Sequence, residues 1–228
     1  PSAGNGSFIE DMKLLCKNCI FYDIEPEHSE IVKQDYLDLQ TEPYENKYKN
    51  IHVIGNPPFG RQSKFAIQFI KKSVQYCHSI SFILPKSFKK DSMKRHFPLN
   101  FHLVCEYELS LDDYFIIDGK PHIVPCVFQI WLKKKYNRSL PIHHEPYNYN
   151  FVKKDEPHDI SFRRVGVYAG KLDKNTIDKS PQSHYFIKFD IPLTDSLYKK
   201  LYDINYHCKN DTVGPKSISK QELIKEFN

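Results

Sequence analysis

The residues best suited to chemistry in this sequence are Asn56, Pro57, Pro58 and Phe59, which directly follow the apolar run VIG. Two adjacent prolines cannot continue a sheet or enter a helix interior, so a strand is predicted to end here. The chain just beyond it is then rigid. Asn56 offers a side-chain acceptor, Pro57 a stiff carbonyl and Phe59 an aromatic ring. The alternative interpretation is a stiff turn with no further role.

A glycine turn and two acids precede this motif in an order that suits a nucleotide-like ligand. Gly4 and Gly6 in AGNG leave room for a ligand to approach the backbone closely. Asp23 ends the next predicted strand about 20 residues later, where a carboxylate commonly holds a ribose diol. Asp35 ends a third predicted strand beside Tyr36, and this pair is placed to meet the edge and face of a nucleobase.

Plainer interpretations of these residues stay open. Asp23 is also suited to capping a helix, and Asp38 is an alternative to Asp35. Tyr36 fits the core as well as a ligand pocket. The turn has no G-K-[ST] sequence, so it does not match the phosphate loop of nucleoside triphosphatases.

The elements that must position these residues alternate between strand and helix. An amphipathic helix is predicted over residues 64–77, because its apolar side chains recur on one face. Such alternation predicts a mostly parallel sheet with helices on its faces, and ligands then bind beyond the carboxyl ends of its strands. Apolar runs predict strands within residues 18–26, 30–39, 49–59, 79–85, 100–109 and 122–134.

After about residue 135 the pattern weakens. The following polar, tyrosine-rich stretch, residues 134–159, predicts a linker or irregular loop, and further strand and helix patterns come after it. We therefore expect a catalytic domain over residues 1–135 and a C-terminal region over residues 136–228, a candidate for substrate recognition.

Composition describes an ordinary globular chain of 228 residues, with 40% hydrophobic and 27% charged residues. No run approaches the roughly 20 apolar residues of a membrane span. The net charge of +5 is compatible with an anionic partner. Six scattered cysteines favour the cytoplasm or another reducing compartment. Cys16 and Cys19 form a lone C-x-x-C that we interpret as structural, so no metal is expected; the oligomeric state is not indicated.

Taken together, these motifs resemble those of the S-adenosylmethionine-dependent methyltransferases that modify the amino group of adenine at N6. PSAGNGSF is similar to their cofactor motif I, FYDIEP to motif II, KQDYLDL to motif III and NPPF to the catalytic motif IV. The resemblance covers roughly residues 1–134 and keeps the family's order. It implies a Rossmann-like class I methyltransferase sheet, mostly parallel with an antiparallel last strand, and a smaller C-terminal appendage.

The resemblance also implies roles for individual residues. Asn56 and the Pro57 carbonyl would accept the two N–H bonds of the adenine amino group, with Pro58 holding that carbonyl rigid, and Phe59 would stack on the extruded base. The implied contacts to S-adenosylmethionine are Pro1, Ala3, Gly4, Gly6, Asp23, Ile24, Asp35, Tyr36 and Asn56.

A basic stretch after the strand at 79–85 would lie on the same rim as NPPF. Lys86, Lys89 and Lys90 are candidates for phosphate contact, with a solvated lysine-rich loop as the alternative. Phe115 is a candidate for a second base-stacking ring, or else a core residue.

The expected partner is nucleic acid, because Phe59 and the basic rim favour a nucleobase over a protein amide. DNA is expected rather than RNA, although NPPF itself is common to enzymes that act on either. The same reaction on RNA adenine, or a non-catalytic nucleic-acid-binding subunit, are the alternatives. The family's strand ahead of motif I is not in the sequence, so we also expect Pro1 to have been preceded by a further segment of a longer protein.

Overall fold

A computed structural model describes residues 1–110, 115–117 and 120–228. The chain divides into two compact units, Pro1–Leu140 (unit 1) and Pro141–Asn228 (unit 2). Within the described residues, no helix has the length and apolar character needed to cross a membrane.

Unit 1 contains four α-helices and eight strands among its described residues. The helices are α1 (Ile9–Leu15), α2 (Glu42–Lys47), α3 (Lys64–Tyr76) and α4 (Asp91–Lys94). The strands are β1 (Phe21–Asp23), β2 (Ile31–Lys33), β3 (His52–Gly55), β4 (Ser79–Pro85), β5 (Phe101–Glu108), β6 (Phe115–Ile117), β7 (Lys120–His122) and β8 (Cys126–Lys133).

The main sheet of unit 1 is mixed and has the strand order β3-β4-β8-β5. β3 pairs with β4 in parallel, whereas β8 is antiparallel to both β4 and β5. β3, β4 and β5 therefore run in one direction and β8 runs against them. β1 and β2 form a separate parallel pair.

The expectation of one mostly parallel sheet is therefore corrected. Unit 1 is a mixed α/β arrangement in which the parallel strands are divided between two small sheets, because β1 and β3 are each terminal strands that do not pair with one another. The apolar run at 30–39 is also only partly a strand: it changes after Lys33 into a short 3₁₀ helix at Tyr36–Asp38.

The core of unit 1 lies between the main sheet and α3. Six of the seven residues of β4 are buried, as expected for a central strand covered on both faces. Its neighbour β8 buries Trp131, whose ring stacks on Phe97 with centroids 4.0 Å apart. The Trp131 Nε1–H donates to the Gln129 side-chain oxygen at 2.9 Å, so the indole is satisfied within the core.

Unit 2 is an antiparallel four-stranded sheet packed against helices. Its strand order is β11-β10-β12-β9, and its core joins aromatic and aliphatic side chains from the sheet and both helices. The elements are β9 (Tyr149–Val152), β10 (Ile160–Arg163), β11 (Leu172–Asp173), β12 (His184–Phe189), α5 (Asp195–Tyr202) and α6 (Lys220–Phe227).

The interpretation of residues 134–159 as linker or loop is wrong in part. β9 lies inside that stretch and pairs with β12, with Tyr149 opposite Phe189 and Phe151 opposite Ile187. Its strand conformation depends on this long-range pairing, which local composition does not reveal.

Candidate active site

Asn56 follows the last residue of β3 and holds an unsatisfied acceptor. Its side-chain Oδ1 is buried and has no hydrogen-bond partner among the described residues. A buried polar atom left unpaired costs about 1–3 kcal/mol, so such an atom in a folded protein calls for an explanation. A ligand that donates a hydrogen bond at this point would supply the partner that the described part of the protein does not provide.

The three residues after Asn56 differ in their exposure to solvent. Pro57 is buried, Pro58 is exposed and Phe59 is half-buried. The rings of Phe59 and Phe115 meet edge to face, with centroids 6.0 Å apart and an interplanar angle of 86°. The structure thus brings together the two rings that were considered for base stacking.

A strained turn connects Phe59 to α3. Gly60, Gln62 and Ser63 all have positive φ, of +67°, +54° and +59°. The Phe65 N–H donates to the Phe59 carbonyl at 3.2 Å and closes the turn. Two consecutive non-glycine residues in the left-handed region are unusual and are over-represented at functional sites. No sequence pattern indicates this strain, because neither Gln nor Ser is typical of that conformation.

The glycine turn and the acid after β1 are in direct contact. The Gly4 N–H donates to Asp23 Oδ2 at 2.8 Å, and the Gly6 N–H donates to the Ala3 carbonyl at 2.9 Å. Gly4 has φ of +54°, and a Cβ built on it would meet no atom within 4 Å. The turn therefore presents open space on that side, beside a carboxylate.

Residues from the first, second and fourth motifs converge at one edge of unit 1. The Ala3 N–H donates to the Tyr22 carbonyl in β1 at 3.0 Å. The Pro1 carbonyl lies against Gly55, where a Cβ would overlap it. Gly55 directly precedes Asn56, so the turn lies beside the entrance to the NPPF motif.

The residues of the third motif divide into two environments. Asp35 accepts the Leu37 N–H at 2.8 Å and caps the short 3₁₀ helix, while the Gln34 N–H donates to the Asp23 carbonyl at 2.8 Å. Tyr36 is 4% exposed and packs in the core, and burial raises the pKa of its phenol. Ile24, in contrast, is exposed. The motif thus contacts Asp23 through the backbone of Gln34, which directly precedes Asp35.

The Tyr36 hydroxyl belongs to a buried chain of hydroxyls. It hydrogen-bonds to Ser73 Oγ at 2.7 Å and to the Tyr76 hydroxyl at 2.5 Å. Ser73 Oγ in turn donates to the Phe69 carbonyl at 2.8 Å. These hydrogen bonds connect the segment after β2 to α3.

Two of the predicted phosphate-binding lysines share one carboxylate. Lys86 forms an ion pair with Glu108 Oε1, and Lys89 lies 2.9 Å from Glu108 Oε2. The hydrogen bond from Lys86, followed by that from Lys89, lowers the pKa of Glu108. Lys90 is half-buried and begins the turn into α4. Sequence reasoning missed Glu108, which is brought to the lysines only because β5 packs beside β8.

No family model and no curated protein matches this chain. Among solved structures, the chain is similar to a protein from Pyrococcus horikoshii whose crystal structure is described as that of a candidate RNA methyltransferase. The similarity covers 58% of this chain and 71% of that one, at 17% identity and a TM-score of 0.43.

Proposed function

We propose that unit 1 is a Rossmann-like class I methyltransferase domain that acts on the exocyclic amino group of adenine in DNA, with S-adenosylmethionine as methyl donor. The observation that carries this proposal is the buried Oδ1 of Asn56 at the end of β3, followed by two prolines and an aromatic ring. Within residues 1–110, 115–117 and 120–228 this oxygen has no hydrogen-bond partner.

The chemistry asked of Asn56 follows from the electronic structure of adenine. The lone pair of the amino nitrogen is delocalised into the ring, which makes the nitrogen a poor nucleophile. Asn56 Oδ1 and the Pro57 carbonyl would each accept one N–H, which localises the lone pair on the nitrogen and directs it towards the methyl group to be transferred. Because the prolines fix that carbonyl before the base arrives, little reorganisation is needed during reaction. The nitrogen exchanges one N–H bond for an N–CH₃ bond, and the proton leaves to water.

The residues of the glycine turn suit the proposed cofactor. Open space beside Gly4 gives room for a ligand, and the Asp23 carboxylate next to it can accept ribose hydroxyls. When bound, S-adenosylmethionine would supply a methyl group on a sulfonium that leaves as a neutral thioether. Pro1, Ala3, Gly6, Ile24 and Asp35 remain the other proposed cofactor contacts, whereas burial of Tyr36 in the core favours a structural role for that residue.

The aromatic pair suits an extruded base. A base leaves its stack so that its amino group can be reached, and a ring that receives it contributes about 1–3 kcal/mol. Phe59 would provide the stacking face, while Phe115, edge-on to it, would hold that ring in place. Lys86, Lys89 and Lys90 would contact phosphates, and unit 2 would contribute to substrate selection.

Transfer of a tritiated methyl group to DNA, RNA and protein, measured side by side, tests this proposal. We expect label in DNA. Label found only in RNA would show that the substrate is RNA while the proposed reaction is unchanged. Label found only in protein would refute the proposal that a nucleobase is methylated. An absence of both transfer and cofactor binding would leave a non-catalytic binding subunit.

The Asn56→Ala variant separates the proposed mechanism from a merely structural role. Loss of a transition-state hydrogen bond of this kind costs about 10²–10³ in rate. Removal of an unpaired buried acceptor should leave the melting temperature unchanged or higher, since its desolvation penalty disappears. Full activity in Asn56→Ala would refute the assigned role.

Gln68→Ala is the matched control. Gln68 lies in α3, and its Oε1 is also buried without a partner in the part of the chain that the structure describes. We expect this variant to resemble Asn56→Ala in stability while keeping the wild-type rate. Equal loss of rate in both variants would show that the effect of Asn56 is not chemical.

A further inference from the structure

The two cysteines of the C-x-x-C sequence lie at the carboxyl end of α1. Cys16 directly follows the helix with an extended backbone, and its N–H donates to the Met12 carbonyl at 2.9 Å. The chain bends at the next two residues. The Cys19 thiol then donates to the Cys16 carbonyl at 3.2 Å and to the Met12 carbonyl at 3.5 Å. The bend therefore returns Cys19 to the end of the helix that Cys16 terminates.

The two thiols are in contact with each other. Both cysteines are in the reduced form, and a side-chain hydrogen bond joins them. Burial, followed by the neighbouring Cys16 thiol, raises the pKa of the Cys19 thiol. Because an S–S bond requires the two Cβ atoms to be close and correctly oriented, a contact between the sulfur atoms is the arrangement from which a disulfide can form.

The pair is accessible to a small molecule. Cys16 is exposed and Cys19 is half-buried, and both line an open cavity of about 300 Å³ together with Lys13 and Lys17. A thiol with a purely structural role is typically buried and inert. Accessibility and mutual contact instead favour a pair that reacts.

The buried cysteines of unit 1 provide the contrast. Cys77 and Cys126 are buried, and burial raises the pKa of each thiol to about 12. The thiolate is the reacting form of cysteine, so neither residue is available for exchange near neutral pH.

The ligands around the pair do not suit a metal ion. Structural zinc sites use four Cys or His ligands, and C-x-x-C supplies two of them. Among the described residues, no third His, Cys, Asp or Glu joins Cys16 and Cys19 in a metal-binding group. The chemistry that remains for two adjacent, accessible thiols is their joint oxidation.

We propose that Cys16 and Cys19 form a reversible redox pair that exchanges with low-molecular-weight disulfides such as oxidised glutathione. The Cys16 thiolate attacks one glutathione sulfur and breaks that S–S bond, which releases one glutathione and leaves a mixed disulfide on Cys16. The Cys19 thiolate then attacks the Cys16 sulfur and displaces the second glutathione. Two protons and two electrons pass from the cysteines to two glutathione molecules.

The exposure of the two thiols assigns the order of these steps. Cys16 meets the oxidant first because it is exposed. The raised pKa of Cys19 lowers its thiolate fraction, which disfavours a first attack from solution. The second step is intramolecular, so the contact between the two side chains compensates for this. None of these steps depends on the proposed methyl transfer.

The test uses the full chain, free of oxygen, in buffers that contain oxidised and reduced glutathione in several ratios. Free thiols are alkylated after an acid quench, and peptides are mapped by mass spectrometry. We expect a Cys16–Cys19 disulfide, two hydrogen masses lighter than the dithiol, that excess reduced glutathione reverses. Absence of this disulfide in oxidised glutathione alone, or its failure to reverse, would overturn the proposal.

Single variants test the order of the steps. Cys19→Ser should trap glutathione on Cys16, whereas Cys16→Ser should react about tenfold more slowly or less, since attack requires access. Of the six cysteines, Cys105 is the other exposed one, so Cys105→Ser is the matched control and should form the Cys16–Cys19 disulfide as the wild type does. Equal rates in the first two variants, or loss of the disulfide in the control, would contradict the assignment.

Discussion

The carboxylate of Asp23 fixes the backbone of Gly4, nineteen residues earlier, through a hydrogen bond of 2.8 Å. Its other oxygen accepts the Glu25 N–H at 2.9 Å. Each carboxylate oxygen has a further lone pair, so Asp23 can hold the turn and still accept a ligand hydroxyl. A single acid thus links the shape of the glycine turn to the capacity of the proposed cofactor site.

Asp23→Asn should weaken the binding of S-adenosylmethionine about ten- to a hundredfold, because a hydrogen bond to a charged acceptor contributes about 1.5–3 kcal/mol. Titration calorimetry measures the change. Asp11→Asn, which removes an exposed carboxylate from α1, should bind as the wild type does. An unchanged affinity of Asp23→Asn for S-adenosylmethionine would show that Asp23 does not contact the cofactor.

Gly60→Ala should lower both stability and rate. A Cβ at this position would lie 2.5 Å from the Phe65 ring, and φ of +67° disfavours any side chain. We expect a loss of about 1–3 kcal/mol in the free energy of unfolding, since strained backbone conformations cost that much, together with a displaced Phe59.

Steady-state kinetics and thermal melting check the Gly60 prediction. Gly214→Ala is the control, because a Cβ there meets no atom within 4 Å. Phe65→Leu combined with Gly60→Ala should restore part of the stability, since a smaller side chain relieves the contact. A Gly60→Ala protein with wild-type melting temperature and rate would contradict the importance of the turn.

Tyr36→Phe separates a core role from a cofactor role. Loss of the hydroxyl breaks the chain to Ser73 and Tyr76 and should lower the free energy of unfolding by about 1–3 kcal/mol. Denaturant titration measures this loss, and calorimetry should show nearly unchanged cofactor affinity. A tenfold loss of affinity with intact stability would instead place the hydroxyl in the cofactor site.

Glu108→Gln should strengthen nucleic-acid binding. The substitution removes a negative charge beside Lys86 and Lys89, and Lys86 loses its carboxylate partner. Affinity for an oligonucleotide should rise at low salt, and the slope of log affinity against log salt should steepen by about 1, since one phosphate contact contributes about 0.9. Fluorescence anisotropy at several salt concentrations provides the measurement.

Glu30→Gln is the matched control for Glu108, because it removes the same charge from another lysine pair, with Lys13. The control should leave both the affinity and the salt slope unchanged. If both variants bind more tightly to the same degree, the effect is one of net charge and Lys86 and Lys89 are not specific contacts.

Acid should destabilise unit 2 through His184. Burial, with a smaller contribution from Arg163, lowers the pKa of this imidazole below its usual 6.5 in the folded state. As pH falls below 6.5 the unfolded chain takes up the proton first, so stability is lost down to the folded-state pKa. Hydrogen exchange of the β12 amides between pH 7 and 5, corrected for intrinsic rates, reports this loss.

His184→Gln should flatten that pH dependence, whereas substitution of the exposed His143 by Gln should leave it unchanged. A pH dependence that survives in His184→Gln would assign the acid sensitivity to another group.

The sequence predicted those parts of the fold whose signals are local. α3 is confirmed at Lys64–Tyr76 because its apolar periodicity and its packing agree, and the strand end before Asn56 is confirmed because two prolines permit little else. β9 was missed because its partner β12 lies more than thirty residues away. α6 was missed although its capping box, Ser219 with Glu222, is visible in the sequence.

The candidate site shows the same division. Asn56 could be identified as a candidate because the apolar run before it and the two prolines after it mark the end of a strand. No sequence pattern indicated that Lys86 and Lys89 meet Glu108. The Phe59–Phe115 contact likewise joins side chains that are far apart in the sequence. Contacts between distant segments depend on the packing of the sheet, which single-sequence patterns do not determine.

The stacked, buried indole of Trp131 has an optical consequence. It is the one tryptophan in the sequence, and it lies in unit 1, so tryptophan emission from the intact chain reports the environment of β8. Unfolding of the main sheet would separate it from Phe97 and expose it to water, with a shift of the emission to longer wavelength. Unit 2 contributes no such signal, so a fluorescence melt and a circular dichroism melt of the same sample would resolve the two units without a label.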